Sequence, residues 1–131
     1  MNVKQARVLF YSAAVFNWVA CLVFLEPLGI ARLFNLSQSV SGDPLDQVAL
    51  LAIALFGLGY WMVGGNPGAH RGIVILGLIG KLGVVAIMFS HYLFIGDVNL
   101  NVVVLVIGDL VFSVFFYRFL RSTITSQERE P

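Results

Sequence analysis

Residues 72–94 read GIVILGLIGKLGVVAIMFSHYLF, and this stretch decides the class of protein. It holds a single Asp, Glu, Lys or Arg side chain, that of Lys81. A helix rises 1.5 Å per residue, so about 20 apolar residues cross a hydrocarbon core of about 30 Å. The stretch therefore predicts a membrane-spanning helix.

Three further segments have a similar length and composition. They cover about residues 8–25, 45–63 and 102–120. With residues 72–94 they predict an all-α, integral membrane four-helix bundle, and residues 1–131 form a single membrane domain. The longest connection is an outer loop at residues 26–44, whose mixed apolar and polar pattern suits either a short interfacial helix or a packed loop. A cytoplasmic tail is expected at residues 121–131.

The composition agrees with a membrane protein. Apolar residues make up 59% of the 131 residues and charged residues 11%, against roughly 45–50% and about 25% in typical soluble domains. The net charge of +1 lacks the basic signature of nucleic-acid binders, so we expect no nucleic-acid partner. The single cysteine, Cys21, excludes an intramolecular disulfide. Because apolar residues continue after Cys21, we do not expect the first span to be a cleaved signal peptide.

Short polar motifs predict where the spans begin and end. Asp43 followed by Pro44 is typical of an N-cap and a first helical residue, which starts the second span. Residues 66–68, Asn-Pro-Gly, predict a tight turn after that span. Asn99 or Asn101 is the expected cap of the fourth span.

The distribution of basic residues predicts the orientation. An even number of spans puts both termini on one side, where most of the basic residues beyond or near the ends of the spans also fall: Lys4, Arg7, Arg71, Arg118 and Arg121. The positive-inside rule then places both termini in the cytoplasm of a multi-pass protein of the cell inner (plasma) membrane. Four aromatic residues are expected to form a belt at the cytoplasmic boundary: Tyr11, Tyr60, Trp61 and Tyr117.

Two ionisable residues, Lys81 and Asp109, lie deep within predicted spans. At 1.5 Å per residue they sit about 14 Å and about 16 Å from the cytoplasmic side, and Asn17 sits at about 14 Å. We therefore expect a polar layer of Asn17, Lys81 and Asp109, with the two charges in contact. Such a pair either specifies which helices associate or carries proton, ion or ligand chemistry, and both interpretations stay open.

Further candidate residues lie near the ends of the spans. His91, at the outer end of the third span, is either a titrating or quinone-facing residue or an ordinary interfacial histidine. His70, Arg71, Arg118 and Arg121 either bind lipid phosphates or only set the topology. The two histidines fall on opposite sides of the membrane, so we expect no metal site.

Four short motifs carry a family resemblance. They are Gly57-Leu58-Gly59-Tyr60, Asn66-Pro67 with His70-Arg71, Gly80-Lys81, and Gly108-Asp109 with Phe112. By these motifs and by its architecture, the chain resembles small DoxX-like bacterial inner-membrane proteins over roughly residues 45–120. The resemblance implies four spans with cytoplasmic termini and, for some members, a role beside quinone-linked oxidoreductases. It transfers no catalytic residue.

The functional expectation is a non-enzymatic accessory or interaction subunit without a cofactor. No HExxH, GxSxG or phosphate-binding glycine motif occurs, which argues against an enzyme. Its partners would be the lipid bilayer and another membrane protein or a second copy of the chain. The alternatives are a small proton-linked transporter using Lys81 and Asp109, and a quinone- or lipid-binding redox accessory near His91. The phenylalanines are assigned to lipid-facing and core positions rather than to a ligand cage.

Overall fold

The computed structural model describes residues 1–25, 28–36 and 43–127, with side chains up to Ser122. Four of its helices are long and apolar enough to cross a membrane, as predicted. The helices are α1 (Val3–Phe24), α2 (Ile30–Leu33), α3 (Pro44–Gly65), α4 (Arg71–Ser90) and α5 (Leu100–Gln127). The described part of the chain is therefore an all-helical bundle in which four helices are long and apolar enough to span a membrane.

The predicted caps are present at the starts of α3 and α5. The Asp43 side chain accepts a hydrogen bond from the Leu45 amide, and Pro44 is the first residue of α3. At α5 the Asn99 side chain accepts from the Val102 amide at 3.1 Å, so Asn99 rather than Asn101 caps that helix. These side chains satisfy amides that have no carbonyl partner within the helix.

Two helices extend beyond the apolar runs that predicted them. Helix α1 begins at Val3, because Asn2 and Gln5 form a capping box that starts the helix before its apolar stretch. Helix α5 continues to Gln127, so most of the tail expected at 121–131 belongs to this helix. Hydrophobicity marks the membrane-crossing part of a helix, whereas caps and helix breakers determine its ends.

The third span ends in an unusual turn. Residues His91–Ile95 form a π-helical turn that continues α4, so the apolar helix runs over Arg71–Ile95. Gly96 then adopts a left-handed conformation with φ of +78°, and its amide donates to the His91 carbonyl at 2.7 Å. Glycine favours this geometry because it has no Cβ to clash with the backbone.

The described half of the loop predicted at residues 26–44 contains a short helix and packed residues. Helix α2 is a single turn, and Ala31 and Leu36 are buried beside it while Leu33 and Phe34 are exposed. Asn99 donates from its side chain to the Asn35 carbonyl at 2.8 Å, which ties this segment to the start of α5. Residues 26–27 and 37–42 of the predicted loop lie outside the described residues.

The bundle is built from two helix pairs, α1 with α3 and α4 with α5. The terminal core, at the end of the bundle that carries the N-terminus, is centred on Phe10, Tyr60, Val74 and Phe116. A second cluster, the α2-side core, contains Ala31, Leu36, Val98, Val102, Val103 and Val106. The polar layer predicted from the sequence lies between the two cores.

Tyr60 corrects the predicted aromatic belt. Its side chain is only 1% exposed and belongs to the terminal core, whereas Trp61 and Tyr117 are about half exposed. Tyr60 packs against Phe116 with ring centroids 5.1 Å apart. Adjacent side chains on a helix point in different directions. Tyr60 can therefore face the core while Trp61 faces outwards.

Candidate functional site

The two charges predicted to lie deep within the spans meet across α4 and α5. The Lys81 Nζ lies 2.5 Å from Oδ1 of Asp109, and the two side chains are 5% and 18% exposed. The contact expected from their equal depth is therefore present. Because an unpaired buried charge is costly, the two groups stabilise each other as an ion pair.

Asn17 extends the pair to the other half of the bundle. Its Oδ1 accepts a hydrogen bond from Lys81 Nζ at 3.2 Å, and its Nδ2 donates to the Ile53 carbonyl at 3.1 Å. The amide thus has one partner on α4 and another on α3 and is held in one orientation. Asn17, Lys81 and Asp109 form one polar cluster, in which side chains from α1, α4 and α5 connect to the backbone of α3.

Close packing of α1 against α3 makes this arrangement possible. Trp18 donates from its ring nitrogen to the Ala54 carbonyl at 3.2 Å, and the Cys21 thiol donates to the Leu50 carbonyl at 3.3 Å. Gly57 lets the Trp18 ring approach, since a Cβ at this position would lie 2.5 Å from the ring nitrogen. The apolar-flanked glycines of α3 therefore serve helix packing, which is common in membrane bundles.

Three aromatic rings surround the Lys81 ammonium. Its Nζ lies 5.3 Å from the Phe16 ring centroid, 5.5 Å from that of Tyr60 and 5.4 Å from that of Phe112. A cation within about 6 Å of an aromatic face is attracted to it, more strongly where water is excluded. Phe16 and Phe112, which sequence analysis assigned with the other phenylalanines to lipid-facing and core positions, therefore contact the charged site.

Sequence analysis named Phe112 beside Asp109 but did not place any aromatic ring around Lys81, although the positions of two rings carry a signal. Phe16 adjoins Asn17, and Phe112 follows Asp109 by almost one helical turn. Small residues face two of these rings: a Cβ on Gly108 would lie 2.7 Å from the Phe16 ring, and one on Gly77 would lie 2.6 Å from Tyr60. Only the packing of different helices reveals which aromatic rings these glycines accommodate.

A cavity of about 600 Å³ adjoins the polar cluster. All four long helices contribute to its walls, which are mostly apolar and include Phe24, Leu50, Met88 and Val102. It reaches the first turn of α3 at Asp46, about 20 Å along the helix axis from Tyr60. On the other side of the polar cluster lies the terminal core. The cavity thus extends from the ion pair towards the α2 side of the bundle.

The ion pair beside this cavity retains hydrogen-bonding capacity. Lys81 and Asp109 both line it. An ammonium carries three N–H donors, two of which have the acceptors already described. Within the described parts of the chain, no group donates to Oδ2 of Asp109. The arrangement can therefore hold a polar head group that both accepts and donates hydrogen bonds.

His91 is placed away from this cavity. Its Nδ1 lies 3.0 Å and 3.1 Å from the two carboxylate oxygens of Asp97, and the His91 side chain is 41% exposed. The histidine therefore has a local partner at the end of α4 and does not line the cavity wall. The structure separates His91 from the cluster of Asn17, Lys81 and Asp109.

The four residues considered for lipid contact also separate. His70 and Arg71 lie at the start of α4, whereas Arg118 and Arg121 lie on α5 and line a groove with Lys4 of α1. His70 and Arg71 are not part of that groove wall.

Comparisons of the chain with protein-family models, with curated proteins and with solved structures find no match.

Proposed function

We propose that this protein is a non-enzymatic, membrane-embedded binding protein whose cavity takes one small amphipathic molecule. The observation that carries the proposal is the cavity of about 600 Å³ with apolar walls and the Lys81–Asp109 pair beside it. Small-molecule sites have this size and this combination of apolar lining with a few convergent polar groups. A charge pair needed for helix packing alone does not require a cavity at its side.

The chemistry of the site favours a ligand with a neutral head group. The charges of Lys81 and Asp109 offset each other, so an ionic head group would gain little from the pair as a whole. A carbonyl oxygen can accept from Lys81, and a hydroxyl can donate to Oδ2 of Asp109. The carbonyl oxygens of a lipophilic quinone can accept from Lys81, and a hydroxyl of its quinol can both accept from Lys81 and donate to Asp109, in each case on an apolar body. The quinone site that sequence analysis considered near His91 is therefore proposed at Lys81 and Asp109.

The proposed cellular setting follows from topology and resemblance. With both termini in the cytoplasm of the inner membrane, the cavity would approach the outer face through the α2 side. The DoxX-like motifs support a role as an accessory to a quinone-linked oxidoreductase, and two of them include Lys81 and Asp109. The protein would bind the quinone beside its partner rather than oxidise or reduce it.

A binding titration tests the proposal. A short-chain ubiquinone analogue is titrated into purified protein in detergent, and quenching of Trp18 and Trp61 fluorescence is measured. Ala49 lines the cavity, so Ala49→Phe should fill part of it and weaken binding at least about tenfold. The matched control is Ala86→Phe, because Ala86 is exposed and lies off the cavity wall. Equal quenching of wild type and Ala49→Phe would contradict the proposal.

A second candidate, a proton-linked carrier, is supported by the position of the ion pair. Lys81 and Asp109 are ionisable groups that line a cavity extending to Asp46, near one end of the bundle. Transport would require the terminal core around Phe10 and Phe116 to open, because it packs on the other side of the pair. The same purified protein in vesicles with an internal pH dye separates the candidates, since only a carrier should acidify the interior.

A further inference from the structure

A second concave surface lies at the opposite end of the molecule from the α2 segment. It is a groove of about 850 Å³ between the first turns of α1 and the last described turns of α5. We call it the terminal groove. It shares no lining residue with the cavity beside Lys81 and Asp109. Any ligand of this groove is therefore independent of the proposed quinone site.

The terminal groove is positively charged. Lys4 comes from α1, and Arg118 and Arg121 come from α5. All three side chains are exposed, and no acidic residue is among the described residues of the groove wall. Arginine forms paired hydrogen bonds with phosphate oxygens, and lysine adds a compact positive charge. The charge and donor geometry therefore match a phosphate group.

Apolar side chains in the same groove lie one turn closer to the middle of the bundle. Val8 follows Lys4 by about one turn of α1, and Phe115 precedes Arg118 by about one turn of α5. Leu9 adds a further apolar side chain to the wall. The groove thus changes from cationic to apolar towards the membrane interior, as a phospholipid changes from its phosphate to its acyl chains.

We propose that the terminal groove binds an anionic phospholipid. Its phosphate lies between Lys4, Arg118 and Arg121, and its acyl chains lie against Val8 and Phe115. Basic pockets between membrane helices are suited to anionic head groups, and the cytoplasmic leaflet is rich in them. His70 and Arg71, the other two residues considered for lipid contact, do not contribute to this site.

Native mass spectrometry tests the proposal directly. Full-length protein in detergent is titrated with phosphatidylglycerol or with phosphatidylcholine, and the bound lipid is counted. Wild type should retain phosphatidylglycerol in preference to phosphatidylcholine. The double variant Arg118→Gln/Arg121→Gln should bind phosphatidylglycerol at least about tenfold more weakly than wild type. Arg71→Gln removes one basic charge outside the groove and should leave retention unchanged.

Two further measurements keep the result interpretable. Lys4→Gln changes α1 instead of α5 and should also reduce phosphatidylglycerol retention, by a smaller factor than the double variant. This result does not depend on whether the double variant leaves α5 intact. Inorganic phosphate at the lipid concentration should not displace phosphatidylglycerol, because it lacks the apolar contacts. The proposal is wrong if the double variant binds like wild type, if phosphatidylcholine binds equally well, or if inorganic phosphate displaces the lipid.

Discussion

At the scale of single residues, the chemistry is concentrated in one ammonium group. Lys81 is 5% exposed and contacts a carboxylate, an amide oxygen and the faces of three aromatic rings. Each of these groups favours the charged form of the side chain, whereas burial opposes it. Removing one partner therefore leaves the remaining charge without adequate compensation.

The ion pair gives the first prediction at this scale. Lys81→Met or Asp109→Leu alone should lower the melting temperature and the yield of monodisperse protein in detergent. An unpaired buried charge costs about 3–5 kcal/mol in a soluble core, and neutralisation or snorkelling lowers the value in a membrane. The double variant should recover most of the loss, because apolar residues can replace a buried pair. The prediction is contradicted if the double variant lowers the melting temperature by as much as the two single variants together.

The same double variant separates a structural pair from a functional one. It should fold and yet fail to bind the ubiquinone analogue, since an apolar side chain neither donates to a carbonyl nor accepts from a hydroxyl. Fluorescence quenching of the folded double variant is the measurement. Binding as strong as that of wild type would show that Lys81 and Asp109 act in helix packing and that the cavity alone selects the ligand.

At the scale of helices, the contact between α1 and α3 positions the polar cluster. The side chains of Asn17, Trp18 and Cys21 all donate to backbone carbonyls of α3. Carbonyls within a helix have a second lone pair, so these bonds form without breaking the helix. They require a short distance between the helix axes, which glycine and alanine provide.

Gly57→Ala should disturb this contact. The added Cβ would lie 2.5 Å from the Trp18 ring nitrogen, so the ring must move and its bond to the Ala54 carbonyl must break. Overpacking of this kind costs typically about 1–3 kcal/mol, which melting in detergent should detect. The matched control is Gly83→Ala, because a Cβ there meets nothing within 4 Å. The prediction is wrong if the melting temperature of Gly57→Ala equals or exceeds that of Gly83→Ala.

At the scale of the whole molecule, the two candidate sites lie at different levels of the bundle. The cavity runs from the ion pair towards the α2 side, and the terminal groove lies at the end that holds Lys4 and Arg121. A cytoplasmic location of both termini would place the groove against the anionic leaflet and the cavity towards the outer face. Both proposals about the cellular setting therefore depend on topology.

Reporter fusions test that topology. Fusions at Met1, Gly68 and Pro131 should report the cytoplasm, and a fusion at Ser39, which lies outside the described residues, should report the outer side. The reason is the excess of basic residues on the side of the termini. A reporter that is active only outside the cell membrane and one that is active only inside give complementary readings. An outer signal at Gly68 would contradict the four-span arrangement.

The sequence by itself determined the helical class, the four long apolar helices and the equal depth of Asn17, Lys81 and Asp109. These features depend on composition and on rise per residue, which are local properties of the chain. It also determined the cap at Asp43 and narrowed the cap of the fourth span to Asn99 or Asn101, of which the structure has Asn99, since a cap involves only neighbouring residues.

Only the tertiary structure decided what surrounds the polar cluster. The three rings around Lys81, the burial of Tyr60 and the cavity all depend on how the helices are rotated and paired. Likewise, only the packing of α1 against α5 brought Lys4 into the groove with Arg118 and Arg121. A helix that is apolar on every side does not indicate which of its faces meets which neighbour, because lipid and protein interior are equally apolar.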